Sequence, residues 1–367
     1  MLNEEILEKD HLEKDDIIKL LKIEDAGHKK QLFDKAYQIK EKYIGKLVSL
    51  RGLVEFSNKC RKNCNYCGIR NANNHVFRYS IPKKEVLSAV QFAWKNRFGS
   101  VVLQSGEQTG KRFIENIDSL VREIKQQTNN EIGITLSCGE QTFETYGRWF
   151  ESGAHRYLLR IEASNSDLYH KIHPPDKNHD FEARIKALEN LKSCGYQVGT
   201  GVMIGLPFQT LDNLADDLLF FRDFDIDMVG MGPFIEHHDT PLYSLSEKLL
   251  PQSERFFLSL KMIAILRIMM KDINIAAATA LQAIDPFGRE KALKAGANII
   301  MPNITPLKYR KAYQLYQNKP CLDESAEMCG DCLTKRVGLM GESIHFGHWG
   351  DSPHFANKTS QKSIENQ

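Results

Sequence analysis

The chain has 367 residues, 42% of them hydrophobic and 26% charged, with 49 Lys and Arg against 47 Asp and Glu for a formal net charge of +2. That length suits one large α/β barrel with additions, the composition is that of a globular enzyme, and the balanced charge gives no reason to expect nucleic acid or an anionic membrane as partner. The apolar stretch 255–270 is interrupted by Lys261 and Arg267, which argues against a membrane span, and the acidic opening MLNEEILEKD lacks the apolar run of a secretory signal, so the eight cysteines are expected in a reducing, cytoplasmic compartment where clustered Cys hold metal or do chemistry.

Residues 1–45 are Lys- and Glu-rich, with Ile6, Leu7, Leu12, Ile17, Ile18, Leu20 and Leu21 at helical spacing. They predict two or three amphipathic helices forming an N-terminal helical cap. From residue 46 to 315 β-rich runs alternate with helical patterns. The runs are 47–56, 100–104, 133–137, 156–161, 197–204, 228–232, 273–278 and 298–301; the helical patterns are 83–95, 112–126, 142–152, 181–193, 211–224, 253–270 and 288–295. Strands alternating with helices predict a parallel sheet, and the span fits a (β/α)8 TIM-type barrel. A doubly wound open sheet is the alternative. Gly153, Gly195 and Gly296 each fall between a helix and the next strand, where a helix C-cap is expected. Residues 316–367 lose this rhythm and read as an irregular C-terminal extension holding three cysteines and the run GHWGDSPHF; the tail after Ala356 is expected to be poorly ordered.

Cys60, Cys64 and Cys67 form a C-x3-C-x2-C directly after the first strand, at the C-terminal mouth where barrel enzymes place their chemistry. Structural zinc takes four protein ligands, and no fourth Cys or His is close, since His75 lies eight residues beyond Cys67. A cubane iron–sulfur cluster has four iron corners. Three cysteines leave one corner open, and an open iron can chelate the amino and carboxylate groups of S-adenosylmethionine. An electron passed to the sulfonium then releases a 5′-deoxyadenosyl radical, the cofactor supplying the chemistry and the protein the positioning. Tyr66 offers an aromatic face to the adenine, and Gly68 lets backbone approach it.

This arrangement resembles the radical S-adenosylmethionine superfamily. Ser105-Gly106-Glu107 after the second strand is similar to that superfamily's glycine–Glu motif, whose backbone receives the methionyl amino group; Glu162, ending the fourth strand, stands where the superfamily places a polar side chain on the ribose hydroxyls. Without the resemblance these are a turn and a solvated strand end. Gly199, Gly201 and Gly205 are spaced G-x-G-x3-G and separated by strand-like residues, which speaks against a nicotinamide site.

A longer set of segments resembles one family, the [FeFe]-hydrogenase maturase HydE family: VEFSNKCRKNCNYCGIR, VVLQSGEQ, RYLLRIEASN, GVMIGLPFQT, FDIDMVGMGPFIEHHDTPL, GANIIMPNITPLKYRKAYQLY and the C-terminal cysteines. The resemblance implies a [4Fe-4S] cluster and S-adenosylmethionine in a barrel that assists assembly of the hydrogenase diiron subcluster, with a low-potential electron donor and other hydrogenase maturases as partners. It implies that the adenosyl radical attacks the sulfur of a cysteine bound to an iron carbonyl–cyanide species. It also implies that Arg184 meets the S-adenosylmethionine carboxylate, to which a guanidinium fork is suited, that Ser137 and Arg160 point into the cavity, and that Thr279 and Tyr309 lie deeper. Asn303 and Thr305 are the further polar groups toward the last strands, and Arg160 is the nearest cation for an anionic substrate. At 276–280 the chain reads AAATA, with Thr279 alone where the family carries two adjacent threonines.

Cys321, Cys329 and Cys332, spaced C-x7-C-x2-C, stand where some family members carry an auxiliary cluster, a [2Fe-2S] or [4Fe-4S]; a zinc or thiol pair is the plain alternative. His237, His238 and Asp239 follow strand six and read equally well as a solvated loop. Two rival functions remain at this level: a small-molecule radical enzyme of the biotin synthase or methylornithine synthase type, and a non-catalytic iron–sulfur carrier or scaffold, which would not cleave S-adenosylmethionine.

Overall fold

Strand β1 (Leu47–Ser57) is buried at every position after Leu47, as a stave covered on both faces must be. Seven further strands follow it: β2 (Ser100–Ser105), β3 (Gly133–Ser137), β4 (Arg156–Leu158), β5 (Gln197–Thr200), β6 (Met228–Val229), β7 (Asn274–Ile275) and β8 (Ile299–Ile300). The computed structural model describes residues 4–323 and 326–365, with side chains for 5–323 and 333–360.

Each strand pairs in parallel with the next, through registers such as Gly52 with Val101, Thr135 with Arg156 and Gly199 with Met228, and β8 returns to β1 at Ser49–Ile299. The ring closes between β7 and β8, where Asn298 N–H donates to Ile275 O at 2.9 Å and Ala277 N–H to Ile299 O at 2.9 Å. Closure leaves no sheet edge and rules out the open doubly wound alternative. The (β/α)8 expectation therefore stands.

The fourth and fifth staves are shorter than expected. β4 stops at Leu158, and Glu162 beyond it takes a φ of +67°, a left-handed conformation that breaks strand geometry. Gly201 must approach a neighbouring stave closely, since a Cβ there would lie 1.9 Å from Gly230 O. Met203–Ile204 and Gly232–Pro233 then pair in parallel, extending staves five and six at the mouth.

The outer helices lie close to their predicted positions: Lys83–Lys95, Lys111–Gln127, Phe143–Glu151, Phe181–Ser193, Leu211–Asp223, Gln252–Met269 and Gly288–Lys294. Their starts carry side-chain caps, as at Asp180, which accepts from Ala183 N, and at Thr210, which forms a capping box with Asn213. Gly153, Gly195 and Gly296 have φ of 114°, 88° and 115°, as the C-cap reading required. Ser166–Ile172 and Thr279–Ile284 are additional short helices at the mouth.

The N-terminal helices Lys14–Leu21 and Ala26–Tyr43 pack on Leu211–Asp223 and Gln252–Met269, on the outside of the later staves. Lys261 ties them down by donating to Leu21 O and Ile23 O, and Lys40 is fully buried against Glu342 of the C-terminal segment. Beyond helix Ala326–Leu339, strand β9 (Ser343–Ile344) pairs with the start of β1. The GHWGDSPHF run then plugs the N-terminal end of the barrel. Gly350 O accepts from Arg51 Nη2 at 3.0 Å and Asn274 Nδ2 at 2.9 Å, Trp349 O accepts from Arg156 Nη1 at 2.9 Å, and Ser352 N–H donates to Gln197 Oε1 at 3.0 Å.

The tail after Ala356, expected to be poorly ordered, is instead helical over Pro353–Glu365. His354 holds that helix, bonded to Asp272 at 3.0 Å and to Asp225 at 2.5 Å, with Lys358 3.0 Å from Asp225. Two side chains, His354 and Lys358, reaching carboxylates on the body of the fold anchor a segment whose composition alone reads as solvated.

Candidate active site

The cysteine loop springs from the C-terminal end of β1. Arg78 gathers it: one guanidinium donates to the carbonyls of Asn58 and Ile69 at 2.8 Å, Arg70 at 2.5 Å and Asn73 at 3.0 Å. Asn58, itself buried, donates to Phe77 O at 2.8 Å and Ala312 O at 2.7 Å. This loop therefore has its shape fixed by its own side chains.

Cys60, Cys64 and Cys67 are all half-buried. The Cys60 sulfur accepts backbone N–H from Lys62 and from Glu107, each at 3.4 Å. The second donor comes from the Ser105-Gly106-Glu107 turn, which lies against the loop so tightly that a Cβ on Gly106 would sit 2.4 Å from Lys59 O. Burial, followed by the neighbouring Cys60, pushes the Cys64 thiol up to about 12, and burial raises Cys67 as well. Thiols buried this way favour the protonated form unless a cationic centre compensates them.

The spacing of that centre is informative. Among the described residues, the one set of three ligand-type atoms within 4.8 Å of one another is His237, His238 and Asp239, and the cysteines do not form such a set. They are too spread for one ion and suit a larger object that takes three thiolates, so the donor set fits a cuboidal cluster with one corner free.

Around the cysteines runs a belt of paired charges. Glu107 Oε1 accepts from Arg61 Nε at 2.9 Å and Oε2 from Glu140 N–H at 2.9 Å. Glu140 binds Lys62 at 2.8 Å and pairs with Arg184 Nε. Although burial opposes it, Arg184 and Lys62 hold the Glu140 carboxyl below its usual value. Arg184 also donates through Nη1 to Arg160 O; its Nη2 makes no hydrogen bond among the described residues. Arg160 grips Glu162 with two bonds of 2.9 Å and donates to Val202 O at 2.9 Å and to Gly230 O. All three of its nitrogens are thus engaged, and its charge is matched by Glu162. Tyr66 donates to His173 Nε2 at 3.0 Å, a direction fixed because His173 Nδ1 donates to Tyr169 O at 2.8 Å.

The other residues singled out in the sequence spread along the rim. Gly68, after Cys67, is packed so closely that a Cβ would lie 2.2 Å from Gln314 O. Ser137 ends β3 and is half-buried. Thr279, half-buried, begins the helix after β7. Asn303 and Thr305 turn toward β1: Thr305 Oγ1 accepts from Glu55 N–H at 2.9 Å and Asn303 Nδ2 donates to Glu55 Oε2 at 3.2 Å. Glu55 is itself buried and paired with Lys319. Tyr309 stacks on Tyr79 with centroids 4.9 Å apart and donates to Glu85 at 3.2 Å, leaning toward the outer helix. Cys321 is half-buried with φ of +63°, and its carbonyl accepts from Arg310 at 3.0 Å. Helix Ala326–Leu339 carries Cys329 and Cys332, whose side chains lie outside the described residues.

Two residues past Glu162, Ser164 N–H and Oγ donate to Asp217 Oδ1 at 2.7 and 2.6 Å, while Oδ2 is buried without a partner among the described residues. Burial pushes this carboxyl up to about 7. An unfolded Asp titrates near pH 4, so between about pH 4 and about pH 7 the folded chain keeps a proton that the unfolded chain has lost. Stability therefore falls as pH rises through that window and levels off above it. Asp217→Asn is expected to flatten this slope, so that its melting temperature drops less than the parent's between about pH 5 and about pH 8. Parallel curves for the two proteins would show that Asp217 carries no such proton.

Residues 54–221 match the radical SAM superfamily. The chain is 44% identical over 337 residues to the [FeFe] hydrogenase maturase subunit HydE of Thermotoga maritima, covering 92% of this chain and 93% of that protein. The chain belongs to the HydE family. It is a radical S-adenosylmethionine enzyme of [FeFe]-hydrogenase maturation, and membership of the superfamily implies a four-iron cluster and S-adenosylmethionine. The 3-methylornithine synthase of Methanosarcina barkeri is 27% identical, covering 83% of each chain. Among solved structures, a methylornithine synthase matches with a TM-score of 0.79 at 24% identity, covering 95% of this chain and 98% of that one. The maturase HydG from Carboxydothermus hydrogenoformans matches with a TM-score of 0.77 at 20% identity, covering 94% of this chain and 80% of that one. No helix of this HydE-family enzyme, among the described residues, is long and apolar enough to cross a membrane.

Sequence reasoning missed Glu55, Lys62, Arg78, Glu140 and Lys319. Glu55 did leave a signal, the one carboxylate in the β1 run LVSLRGLVEFS; the others look like any surface charge.

Proposed function

We propose that Cys60, Cys64 and Cys67 hold the four-iron cluster and that the charge belt beside them receives S-adenosylmethionine. Bound there, the cluster supplies the electron that cleaves the sulfonium and releases a 5′-deoxyadenosyl radical. The observation that carries this reading is the convergence at one barrel mouth of three thiols too spread for a single ion, the Glu107 N–H aimed at Cys60, and an Arg184 with one nitrogen to spare. Arg184 takes the methionyl carboxylate through that nitrogen while Glu140 steadies the rest of the fork. The Ser105-Gly106-Glu107 turn offers backbone to the amino group, Glu162 accepts from the ribose hydroxyls, and Tyr66, Gly68 and Ser137 border the nucleoside. Arg160 keeps Glu162 aimed through its two bonds, and bounds the cavity on the substrate side.

The substrate in this reading is a cysteine bound to an iron carbonyl–cyanide species, attacked at sulfur, with Thr279, Asn303, Thr305 and Tyr309 toward its side of the barrel. A low-potential donor supplies the electron, other maturases deliver and collect the iron species, and the setting is cytoplasmic, with neither nucleic acid nor membrane as partner. The chain divides into helices at 1–45, the barrel at 46–315 and an extension at 316–367 whose plug seals the far end of the cavity, as a reactive radical requires. The test is deoxyadenosine release by the reduced holoenzyme with and without such an iron-bound cysteine. Stimulation by the complex and not by free cysteine supports the substrate; equal rates with both contradict it.

Cys321, Cys329 and Cys332 form an auxiliary iron–sulfur site in this reading, apart from the radical chemistry. Changing all three to Ser is expected to lower iron content and leave substrate-free cleavage within about twofold of the parent. Loss of cleavage in that variant, with its melting temperature preserved, would place the second cluster in the reaction itself.

A further inference from the structure

The loop after stave six contains a second type of ligand set, chemically unlike the thiols. His237, His238 and Asp239 each present a donor atom within 4.8 Å of the others. Two imidazoles and a carboxylate suit zinc and its first-row neighbours, whereas calcium and magnesium prefer oxygen donors throughout. The trio is graded in burial: His237 is buried, Asp239 half-buried and His238 exposed. His237 is therefore held by the fold, its Nδ1 accepting from Asp239 N–H at 3.2 Å and its Nε2 left as the ligand atom, while His238 faces solvent.

An outer ring of partners is also present. His75 Nδ1 donates to Asp239 Oδ1 at 2.9 Å, and Asn73 Nδ2 lies 3.4 Å from Oδ2. The Gln317 amide sits 2.8 Å from His238 Nδ1, which leaves Nε2 on the side of Asp239, 3.3 Å away. Such second partners fix ring orientation and carboxylate direction at metal sites. The rings of His237 and His238 stack with centroids 4.7 Å apart.

The position matters for the neighbouring loop. The His237 ring presses on Gly68, where a Cβ would lie 2.4 Å from its Cδ2, and Asn73 Nδ2 donates to Gly68 O at 2.7 Å as well as facing Asp239. We propose that His237, His238 and Asp239 form a site for a zinc-class divalent ion, separate from both cysteine groups, and that the bound ion pins the 237–239 loop to the segment leaving Cys67.

The test uses the full chain with its first cluster reconstituted anaerobically and with Cys321, Cys329 and Cys332 changed to Ser, so that thiols do not compete. Zinc alone is titrated by equilibrium dialysis, and its nearest shell is read by zinc X-ray absorption. The expected result is one bound equivalent with nitrogen and oxygen neighbours only, weakened at least tenfold by His238→Ala and by Asp239→Asn. His238 is exposed, so its truncation leaves the fold intact. Amide exchange over residues 68–76 should slow with zinc in the parent and stay unchanged in His238→Ala. Sulfur in the zinc shell, no bound equivalent, or equal affinity in His238→Ala would overturn the site; zinc binding without slowed exchange would overturn the pinning.

Discussion

Cys64→Ala is expected to lower 5′-deoxyadenosine formation by at least about a hundredfold under strict reduction. Three thiolates are the least that hold a four-iron cluster while leaving one corner for S-adenosylmethionine. Taking one away leaves two points of attachment, and the cluster is then lost or rearranged. The loop itself should survive, because Arg78 and Asn58 hold its backbone independently of the sulfurs. Iron per chain should therefore fall with little change in melting temperature. Cys138→Ala is the control: Cys138 is buried just after β3 with its sulfur toward Leu103 O. Full cleavage by Cys64→Ala would remove the first cluster from the account.

The second large effect concerns the two arginines. The sequence suggests separate jobs, with Arg184 on the cofactor and Arg160 on the substrate. The geometry couples them. Arg160 is bound bidentately to Glu162, and Arg184 donates to the Arg160 carbonyl. Arg160→Ala would leave Glu162 without its counter-charge in a largely buried position, where losing one partner of a pair is costly. Because the pair is partly solvated, the loss is set at about 2 kcal/mol, or about thirtyfold. Substrate-free cleavage should fall by that factor in Arg160→Ala, and Glu162→Gln added to it should cost little more, since the two act as one unit. Arg184→Ala should fall at least as far, since it loses the carboxylate contact and leaves Glu140 to Lys62 alone. Unchanged substrate-free cleavage in Arg160→Ala would return that arginine to the substrate alone.

What could be read from the chain follows from the range of each signal. The barrel was legible because parallel staves buried on both faces are apolar runs, and the cysteine motif because its chemistry is packed into eight consecutive residues. Contacts between distant segments were not legible. Glu55 meets Lys319 across 264 positions, and Arg156 meets Trp349 across 193. Nothing local marks Lys319 or Trp349 as partners. The left-handed φ of Glu162 also leaves no trace, since glycine is the residue that usually signals it. Strain of that kind at a non-glycine residue is maintained only where surroundings enforce it, and here Arg160, Gly201 and Met203 do so. The helical tail failed as an expectation for the same reason: His354 and Lys358 look like solvent-facing charges until Asp225 and Asp272 are placed beside them.

The most direct test of the central claim is anaerobic reconstitution of the chain carrying Cys321, Cys329 and Cys332 as Ser, with iron counted, the reduced cluster followed by EPR, and 5′-deoxyadenosine measured. The account predicts four irons per chain, an EPR signal that changes when S-adenosylmethionine is added, and deoxyadenosine that depends on Cys60, Cys64 and Cys67. A reconstituted four-iron chain whose EPR signal ignores S-adenosylmethionine and which releases no deoxyadenosine would contradict it.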